Sequence, residues 1–418
     1  MIALLVNLSM VMTQRLFFLV LVLSFSFSAR AQLDQSGFQQ CLPNLSERAA
    51  AEGISDETRA LISAFNFQQR VIELDRNQPE FVQTLPAYFS KRVNDWRINK
   101  GREMYAKHRD FLRQLTAQYG VPGHYLVSFW GLETNFGGYK GNMPTLDSLA
   151  TLACDQRRQQ FFTQELMLAL KLVDRYELDP NEMTGSWAGA MGHTQFMPST
   201  YTAYAIDGDG DDRVDLWNSE QDALASAANF LAKLGWQPGS RWGREVTLPE
   251  TFDYSLAGKK YRQPLNEWSE LGVQTANAEA LPDSDIVATL RIPAGHLGPK
   301  FLTYQNFNII MRWNNSEFYA IAVGNLADQI IHGSAIVAEL PALPAISRVD
   351  IRQMQRQLSA LGFDVGGADG IMGPSTRAGL RAYQAKHGLI ADGFPSPEVR
   401  AHIQQQTSEP ESVTNSAP

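Results

Sequence analysis

The chain has 418 residues, of which 44% are hydrophobic and 10% aromatic, enough for a sizeable core divided over two or three domains. The formal net charge of −8 argues against a nucleic-acid partner. Two cysteines, and seven histidines at no ligand spacing, argue against a zinc-dependent amidase or peptidase.

The N-terminal segment predicts export. It contains Arg15, then an apolar run from Leu16 to Phe27, and then Ala29-Arg30-Ala31, a small-residue cleavage pattern. A membrane anchor would need about 20 continuous apolar residues, and this run is shorter. We therefore expect residues 1–31 to be a signal peptide, with Met12 as an alternative start, and the mature protein to be a soluble periplasmic protein without a membrane anchor.

Cys41 and Cys154 can form one disulfide across a long loop in an oxidising compartment. Two buried free thiols are the alternative. Helical patterns cover Phe38 to about Leu115 and return between Phe161 and Tyr176. Within the first range one amphipathic helix is predicted to begin at Ser55, and a longer charged one to span Lys91 to Leu115.

The stretch from Ser128 to Asn142, SFWGLETNFGGYKGN, places one carboxylate, Glu133, in the last turn of a predicted apolar helix. Three glycines then break the helix. Beside Trp130 and Phe136, and near the negative end of the helix dipole, the pKa of this carboxyl group should rise. That suits a general acid that protonates a glycosidic oxygen. A solvated helix-end glutamate is the alternative.

The stretch from Gly185 to Tyr204, GSWAGAMGHTQFMPSTYTAY, mixes small residues with neutral polar groups and aromatic rings. Ser186, Gln195 and Phe196 would suit an uncharged acetamido sugar. A helix-packing segment rich in small residues fits the pattern equally well.

The segment from Asp207 to Asn218, DGDGDDRVDLWN, resembles a twelve-residue calcium loop with Asp at positions 1, 3, 5 and 9. Position 6 is Asp212 instead of Gly, and position 12 is Asn218 instead of Glu. A structural cation and an Asp/Gly-rich turn that caps a helix at Ser219 both fit. The candidate ligands are Asp207, Asp209, Asp211, the Arg213 carbonyl, Asp215 and Asn218.

The second half of the chain alternates irregular and regular patterns. Residues 245–292 contain short strand-like pieces, 301–323 alternate, and a last helix is predicted near 320–337. A Pro-containing linker at 338–349 precedes a compact unit at 350–405 with three short predicted helices, and residues 406–418 have the composition of a disordered tail.

Several motifs, in this order, resemble the soluble form of the lytic murein transglycosylase B family over residues 38–337. They are WGLETNFG, LATLACDQRR, GSWAGAMGHTQFMPS, DGDGDDRVDLWN and NNSEFYAIAV. The motifs LSALGF, DGIMGPST and AYQAKHGL, in residues 351–403, resemble the peptidoglycan-binding type 1 domain. In that domain Asp369, Gly370, Gly373, Thr376 and Tyr383 fit the pattern.

The resemblance implies cleavage of the β-1,4 bond between N-acetylmuramic acid and N-acetylglucosamine, with the muramyl C6 hydroxyl as the attacking group and a 1,6-anhydro product. Glu133 matches the single catalytic Glu, which acts as acid and then as base. No second carboxylate is evident beside it in the sequence, although hydrolases ordinarily need one. Ser186, Gln195 and Asn314 match substrate-contacting positions, and Phe196 and Tyr319 match cleft-wall positions. Phe230 and Trp313 stand where the family often has Tyr.

The expected fold is mainly α: a lysozyme-like catalytic domain at 32–337 with a small β-containing insertion, followed by a three-helix peptidoglycan-binding domain. The expected partners are peptidoglycan glycan strands and other cell-wall enzymes. No cofactor is expected for catalysis, and calcium is expected only as a structural ion. A water-using muramidase on the same fold and a non-catalytic wall-binding scaffold are the alternatives.

Overall fold

The structure, a computed structural model, describes residues 33–76 and 83–408. The predicted signal peptide and residues 409–418 of the predicted tail lie outside the described residues. The described part is mainly helical, which confirms the predicted fold class. Its α-helices are α1 (Gln35–Ala51), α2 (Asp56–Ala60), α3 (Gln69–Arg76), α4 (Leu85–Arg92), α5 (Asp95–Lys107), α6 (Arg109–Tyr119), α7 (Gly123–Thr134), α8 (Thr145–Cys154), α9 (Gln159–Tyr176), α10 (Pro198–Tyr204), α11 (Glu220–Lys233), α12 (Leu265–Glu270), α13 (Gln305–Trp313), α14 (Glu317–His332), α15 (Arg348–Ala360), α16 (Pro374–Lys386) and α17 (Pro397–Ser408).

Polar side chains begin many of these helices. Ser55, the predicted start of α2, accepts a 3.1 Å hydrogen bond from the Thr58 backbone amide. Such caps satisfy amides that have no partner within the helix. The same role falls to Asp34, Thr84, Asn94, Ser219, Ser316 and Ser347.

Helix α7 lies at the centre of the larger core. Every residue from Tyr125 to Leu132 is buried, as expected for a helix that is apolar on all sides. It packs against α14, α5, α6 and α11. The hydroxyl of Ser128 donates a 2.7 Å hydrogen bond to the Val323 carbonyl in α14. Burying each large side chain stabilises this packing by about 2 kcal/mol, so the end of α7 is held rigidly.

The β structure forms the predicted insertion between α11 and α13. An antiparallel five-stranded sheet has the order β4 (Gln263–Pro264), β6 (Val287–Arg291), β7 (Lys300–Thr303), β3 (Gly243–Thr247), β5 (Gln274–Thr275). It has its own apolar core around Trp268. Its central strand pairs Leu302 with both Arg244 and Leu290. A separate two-stranded ribbon, β1 (Met143–Pro144) with β2 (Thr184–Gly185), pairs Met143 with Gly185.

The last three helices, α15 to α17, form a small module with a separate core that includes Leu358, Leu380 and Tyr383. Buried Gln355 donates to Thr376 Oγ1 at 2.9 Å and accepts from the Gly370 amide at 2.8 Å. These two residues of the predicted pattern therefore hold the fold of the module together.

Cys41 in α1 and Cys154 at the end of α8 form a disulfide with a Cα–Cα distance of 5.9 Å across 113 residues of sequence. No helix in residues 33–76 and 83–408 is long and apolar enough to cross a bilayer.

Several predicted boundaries were wrong. The long helix predicted to end near Leu115 is divided at His108 into α5 and α6. The alternating segment at 301–323 is one short strand followed by two helices. The buried residues of α13, Asn306, Phe307, Ile309 and Ile310, lie on one face of a helix, and in sequence this spacing looks like alternation. Helix α14 spans Glu317–His332 rather than 320–337. Helix α17 continues to Ser408, so the first three residues of the predicted tail are helical.

Candidate active site

Glu133 lies in the last turn of α7, as the sequence predicts. The helix ends with three successive left-handed residues: Asn135 (φ 51°), Phe136 (φ 58°) and Gly137 (φ 81°). For residues other than glycine this conformation costs about 1 kcal/mol or more and persists only where the surroundings enforce it. Here the hydroxyl of Thr134 accepts a 3.1 Å hydrogen bond from the Gly137 amide. The turn exposes the Glu133 carboxyl group at the floor of a cleft.

A close backbone approach forms the floor beside Glu133. A Cβ atom added at Gly141 would lie 2.0 Å from the Gly185 carbonyl oxygen, and one added at Gly185 would lie 2.2 Å from the Ala190 oxygen. Only glycine fits either position. The glycines near Glu133 therefore bring the segment that follows α7 against the segment that carries Ser186.

Two polar groups contact the carboxyl group of Glu133. The Tyr319 hydroxyl donates a 2.5 Å hydrogen bond to its Oε1, and the Trp313 indole donates a second hydrogen bond. Burial raises the pKa of Glu133 to about 7, although both hydrogen bonds and the positive charge of Arg92 act in the opposite direction. The group therefore exchanges a proton near neutral pH.

The aromatic neighbours of Glu133 differ from those that the sequence suggested. Trp130 donates a 2.9 Å hydrogen bond to His193 Nδ1 on another side of α7. Phe136 packs edge-on against Trp130, with 5.8 Å between ring centroids. The sequence pattern predicted a desolvated carboxyl group, and burial is the largest influence on its pKa. The aromatic side chains that act on this group, Tyr319 and Trp313, lie far from it in sequence, so the local pattern could not show them.

The cleft extends to both sides of Glu133. A larger part, of about 1590 Å³, reaches toward the β insertion and the C-terminal module. A smaller part, of about 330 Å³, reaches toward Tyr139 and Trp187. Glu133, Ser186 and Gln195 line both parts. A linear polymer lying along the cleft would therefore pass the carboxyl group in mid-chain.

Ser186 and Gln195 present opposite hydrogen-bonding groups beside Glu133. Ser186 Oγ accepts from the Ala190 amide at 3.1 Å, which leaves its proton free to be donated into the cleft. The side-chain amide nitrogen of Gln195 donates to the carbonyls of Lys140 and Gly192, both at 2.9 Å, which leaves its oxygen free to accept. The structure also places Asn314, exposed, and Tyr319, buried, on the wall of the larger part.

Phe196 does not line the cleft, which corrects the prediction that it contacts substrate. It is 2% exposed and packs against Phe230 and Trp313, with centroids 5.4 Å away in each case. Trp313 also stacks on Phe129 at 4.3 Å. Phe196 and Phe230 therefore support the ring of Trp313, whose indole N–H supplies a donor where the family often has a tyrosine hydroxyl.

The other acids that line the cleft, among the described residues, are Glu317 and Asp364. Glu317 lies 3.7 Å from the Arg291 guanidinium, and Asp364 is exposed on the C-terminal module. Neither acts on the pKa of Glu133. The pair of cooperating carboxyl groups that a hydrolase ordinarily uses is therefore not formed by the described residues of the cleft.

Sequence reasoning missed Arg92. Its guanidinium donates to the Leu132 carbonyl at 3.2 Å, lies 5.6 Å from the centroid of the Tyr88 ring and lines the cleft. In the sequence it is one more basic residue at the end of a charged helix, and no pattern distinguishes it from surface arginines.

The acidic loop is folded as a tight turn outside the cleft. Ligand oxygens of Asp207, Asp209 and Asp211 lie within 4.8 Å of one another. Asp212, at the position where calcium loops use glycine, adopts a left-handed φ of 67°. Asn218 turns its amide nitrogen toward Asp215 Oδ2 at 2.9 Å. The carboxylates at positions 1, 3 and 5 therefore converge as a cation would require, and position 12 supplies no bidentate carboxylate.

Two family comparisons cover most of the chain. The Transglycosylase SLT domain family matches residues 37–328, and the peptidoglycan binding domain family matches residues 347–403. The chain is 32% identical over 256 residues to membrane-bound lytic murein transglycosylase B of Escherichia coli. The aligned region covers 58% of this chain and 66% of that relative.

Solved structures give the same assignment. SltB3 from Pseudomonas aeruginosa, in complex with NAG-anhNAM-pentapeptide, is 42% identical with a TM-score of 0.85 over 88% of this chain and 99% of that one. Slt35 of Escherichia coli, in complex with calcium, is 28% identical with a TM-score of 0.61 over 69% of this chain and 92% of that one. These matches confirm the resemblance predicted from the motifs: the chain belongs to the lytic transglycosylase family that carries the Transglycosylase SLT domain.

Proposed function

We propose that the chain cleaves the β-1,4 bond between N-acetylmuramic acid and N-acetylglucosamine in peptidoglycan and leaves 1,6-anhydromuramyl ends. The observation that carries the proposal is one carboxyl group, with a pKa near 7, at the point where the two parts of the cleft meet. The ligand named for SltB3, NAG-anhNAM-pentapeptide, has the expected product chemistry.

Glu133 performs both proton transfers. In its neutral form it protonates the oxygen of the leaving N-acetylglucosamine as the glycosidic bond breaks. The carboxylate that results is stabilised by the hydrogen bonds from Tyr319 and Trp313. It then removes the proton of the muramyl C6 hydroxyl as that oxygen bonds to the anomeric carbon, which returns Glu133 to its starting state. A pKa close to the working pH suits a group that must give and take the same proton.

Ser186, Gln195 and Asn314 position the sugars. The free proton of Ser186 and the free oxygen of Gln195 match the carbonyl and the N–H of an acetamido group. Since both side chains are fixed by backbone contacts, they orient the sugar with little loss of side-chain entropy on binding.

Product analysis in labelled water tests the reaction. Purified sacculi are digested in H₂¹⁸O, and the released muropeptides are analysed by mass spectrometry. Transfer to the C6 hydroxyl gives ends one water lighter than reducing ends and free of ¹⁸O. A water-using muramidase would give labelled reducing ends, and that result would overturn the proposal.

A Glu133→Gln variant separates catalysis from wall binding. It should bind sacculi and fail to clear them, whereas Glu47→Gln, an exposed residue of α1, should behave as the parent chain. Full clearing by Glu133→Gln would favour a non-catalytic wall-binding scaffold.

We further propose that Asp207, Asp209, Asp211, the Arg213 carbonyl, Asp215 and Asn218 hold a structural calcium ion. The convergence of the first three carboxylates and the left-handed turn at Asp212 support it. That Slt35 was solved in complex with calcium supports a structural calcium ion, without naming its ligands. The ion would stabilise the loop and takes no part in proton transfer. The proposed location is the periplasm, after export by residues 1–31.

A further inference from the structure

The larger part of the cleft has a basic rim at the end remote from the smaller part. Its cations are Lys259, Lys260, Arg377, Arg381 and Arg400. The two lysines precede β4 in the insertion, and the arginines lie on α16 and α17 of the C-terminal module. Two separately folded units therefore contribute cations to one cleft, which continues to Glu133.

The charge of this lining is opposite to that of the protein. Seven basic residues and three acidic ones line the larger part of the cleft, whereas the whole chain has a formal net charge of −8. One of the three acids, Glu317, is neutralised by Arg291. A second, Glu133, is half protonated near neutral pH.

The acids nearest these arginines, Asp350 and Glu398 near Arg400 and Asp392 near Arg381, interact with them without forming a close ion pair. Neither Arg377 nor Arg400 forms an ion pair within 4.0 Å among the described residues. Arg400 Nε is buried without a hydrogen-bond partner in the described chain. Arg377 and Arg381 are four residues apart on α16, a spacing at which like charges repel. An anionic group bound beside the three arginines would reduce the repulsion between Arg377 and Arg381 and would give Arg400 Nε a hydrogen-bond acceptor.

The module is held against the insertion, so the rim has a fixed geometry. His296 of the insertion contacts Asp392 of the module twice, through its backbone amide at 2.9 Å and its ring Nδ1 at 2.7 Å. At Gly295 (φ 71°) a Cβ would lie 2.8 Å from Asp392 Oδ2 and from Phe394. This contact places α16 and α17 at the edge of the cleft.

We propose that the basic rim binds the carboxylates of the stem peptides of peptidoglycan while the glycan occupies the cleft. This inference rests on the proposed function. The acetylated sugars offer no charge to five cations, whereas the peptide on each muramyl lactyl group carries carboxylates. Guanidinium groups bind carboxylates through two parallel hydrogen bonds. The module thus selects peptide-bearing strands in addition to retaining the enzyme on its polymer.

The test compares rates on two forms of the same glycan. Strands that carry their peptides are compared with strands freed of peptides by an amidase, whose exposed lactyl carboxylates are then blocked as neutral amides. Both are digested by the parent chain and by the double variant Arg377→Gln/Arg400→Gln. The ratio of kcat/KM on peptide-bearing strands to that on bare strands should fall about fivefold in the variant. The ratio for the parent should also fall with added salt, and the variant should respond less.

The matched control is Arg356→Gln, which removes one charge from an exposed site on α15 outside the cleft. It should keep the parent ratio. A damaged module would lower both rates and leave the ratio unchanged, and this outcome would overturn the inference. An equal ratio for parent and double variant would also overturn it. The proposed function fails separately, if the products of the parent lack anhydro ends.

Discussion

The hydroxyl of Tyr319 in α14 donates a 2.5 Å hydrogen bond to Oε1 of Glu133 in α7, although 186 residues separate the two in sequence. Burial and the nearby carboxyl group raise the pKa of Tyr319, so this phenol keeps its proton through the whole cycle. It stabilises the carboxylate form of Glu133 and thereby limits how far burial raises the pKa of the acid. The position of this proton donor sets the pH range of the reaction.

Replacing Tyr319 by Phe should therefore move the pH dependence of catalysis upward. Without the hydrogen bond, the carboxylate form loses stabilisation, so the pKa of Glu133 rises above about 7. The descending limb of the pH–rate profile of kcat/KM should shift to higher pH, because the neutral acid form of Glu133 persists to higher pH. The maximal rate should fall about 30-fold, since the carboxylate that forms in the transition state loses a hydrogen bond that stabilises it by roughly 2 kcal/mol. Tyr105→Phe, outside the cleft in α5, is the matched control and should leave the profile in place. An unshifted profile for Tyr319→Phe would contradict this account.

Glu133→Gln should stabilise the protein at high pH while it abolishes activity. The pKa of Glu133 is raised from 4.5 to about 7 on folding, so folding favours its protonated form. The free energy of unfolding therefore decreases as pH rises from 4.5 to 7, by about 2 kcal/mol after allowance for partial exposure. The amide has no such dependence.

Thermal melts at pH 4 and pH 8 check this relationship. The melting temperatures of parent and Glu133→Gln should be similar at pH 4, and the variant should melt higher at pH 8. Exposed Glu47→Gln should show no difference that depends on pH. A variant less stable than the parent at pH 8 would mean that the carboxylate is favoured by its surroundings.

The sequence was most informative where one local pattern carried the signal. The apolar run around Glu133 predicted the buried helix and its last turn, and the glycines after it predicted where that helix ends. The three helices of the module and the position of the β insertion were also predicted. In each case the prediction rested on residues that are close together in sequence.

Long-range contacts could not be predicted in this way. The sequence near Tyr319 does not indicate that this side chain reaches Glu133. Phe196 lies in a segment with the composition of a sugar-binding cleft, although tertiary packing buries it against Trp313. The interruption of the helix at His108 was not predicted, because it falls within one amphipathic pattern and depends on the packing of neighbouring helices. The basic rim joins residues more than 100 positions apart, and so it exists only in the folded chain.

Removal of the disulfide should lower stability markedly. Cys41 and Cys154 close a loop of 113 residues, and loop entropy predicts a loss of about 5 kcal/mol for a loop of this length. The Cys41→Ser/Cys154→Ser variant should show this loss in urea unfolding compared with the oxidised parent. Reduced parent protein is the control and should match the variant. Equal stability of all three would show that the α1–α8 packing suffices alone.

Calcium should stabilise the chelator-treated protein and restore its activity together. The end of the loop is tied to the cleft: Trp217 donates to the Thr184 carbonyl at 2.9 Å, and Lys140, which follows the turn after Glu133, donates to the Trp217 carbonyl at 2.7 Å. Asp207→Asn/Asp211→Asn should lose the rise in melting temperature with calcium, whereas exposed Asp283→Asn should keep it. A parent melting temperature that ignores calcium after chelation would reduce the loop to a turn.

His296→Ala should loosen the module without unfolding either part. The substitution removes the 2.7 Å contact with Asp392 but keeps the backbone contact at 2.9 Å, while Asp392 retains its hydrogen bond from Gln384 within the module at 2.8 Å. Small-angle scattering should show a larger radius of gyration, and proteases should cut faster between α14 and α15. His332→Ala, at the end of α14, is the matched control and should change neither measurement. Since the module supplies three of the five rim cations, His296→Ala should also reduce the preference for peptide-bearing strands, and an undisturbed preference in a loosened protein would show that the lysines of the insertion suffice.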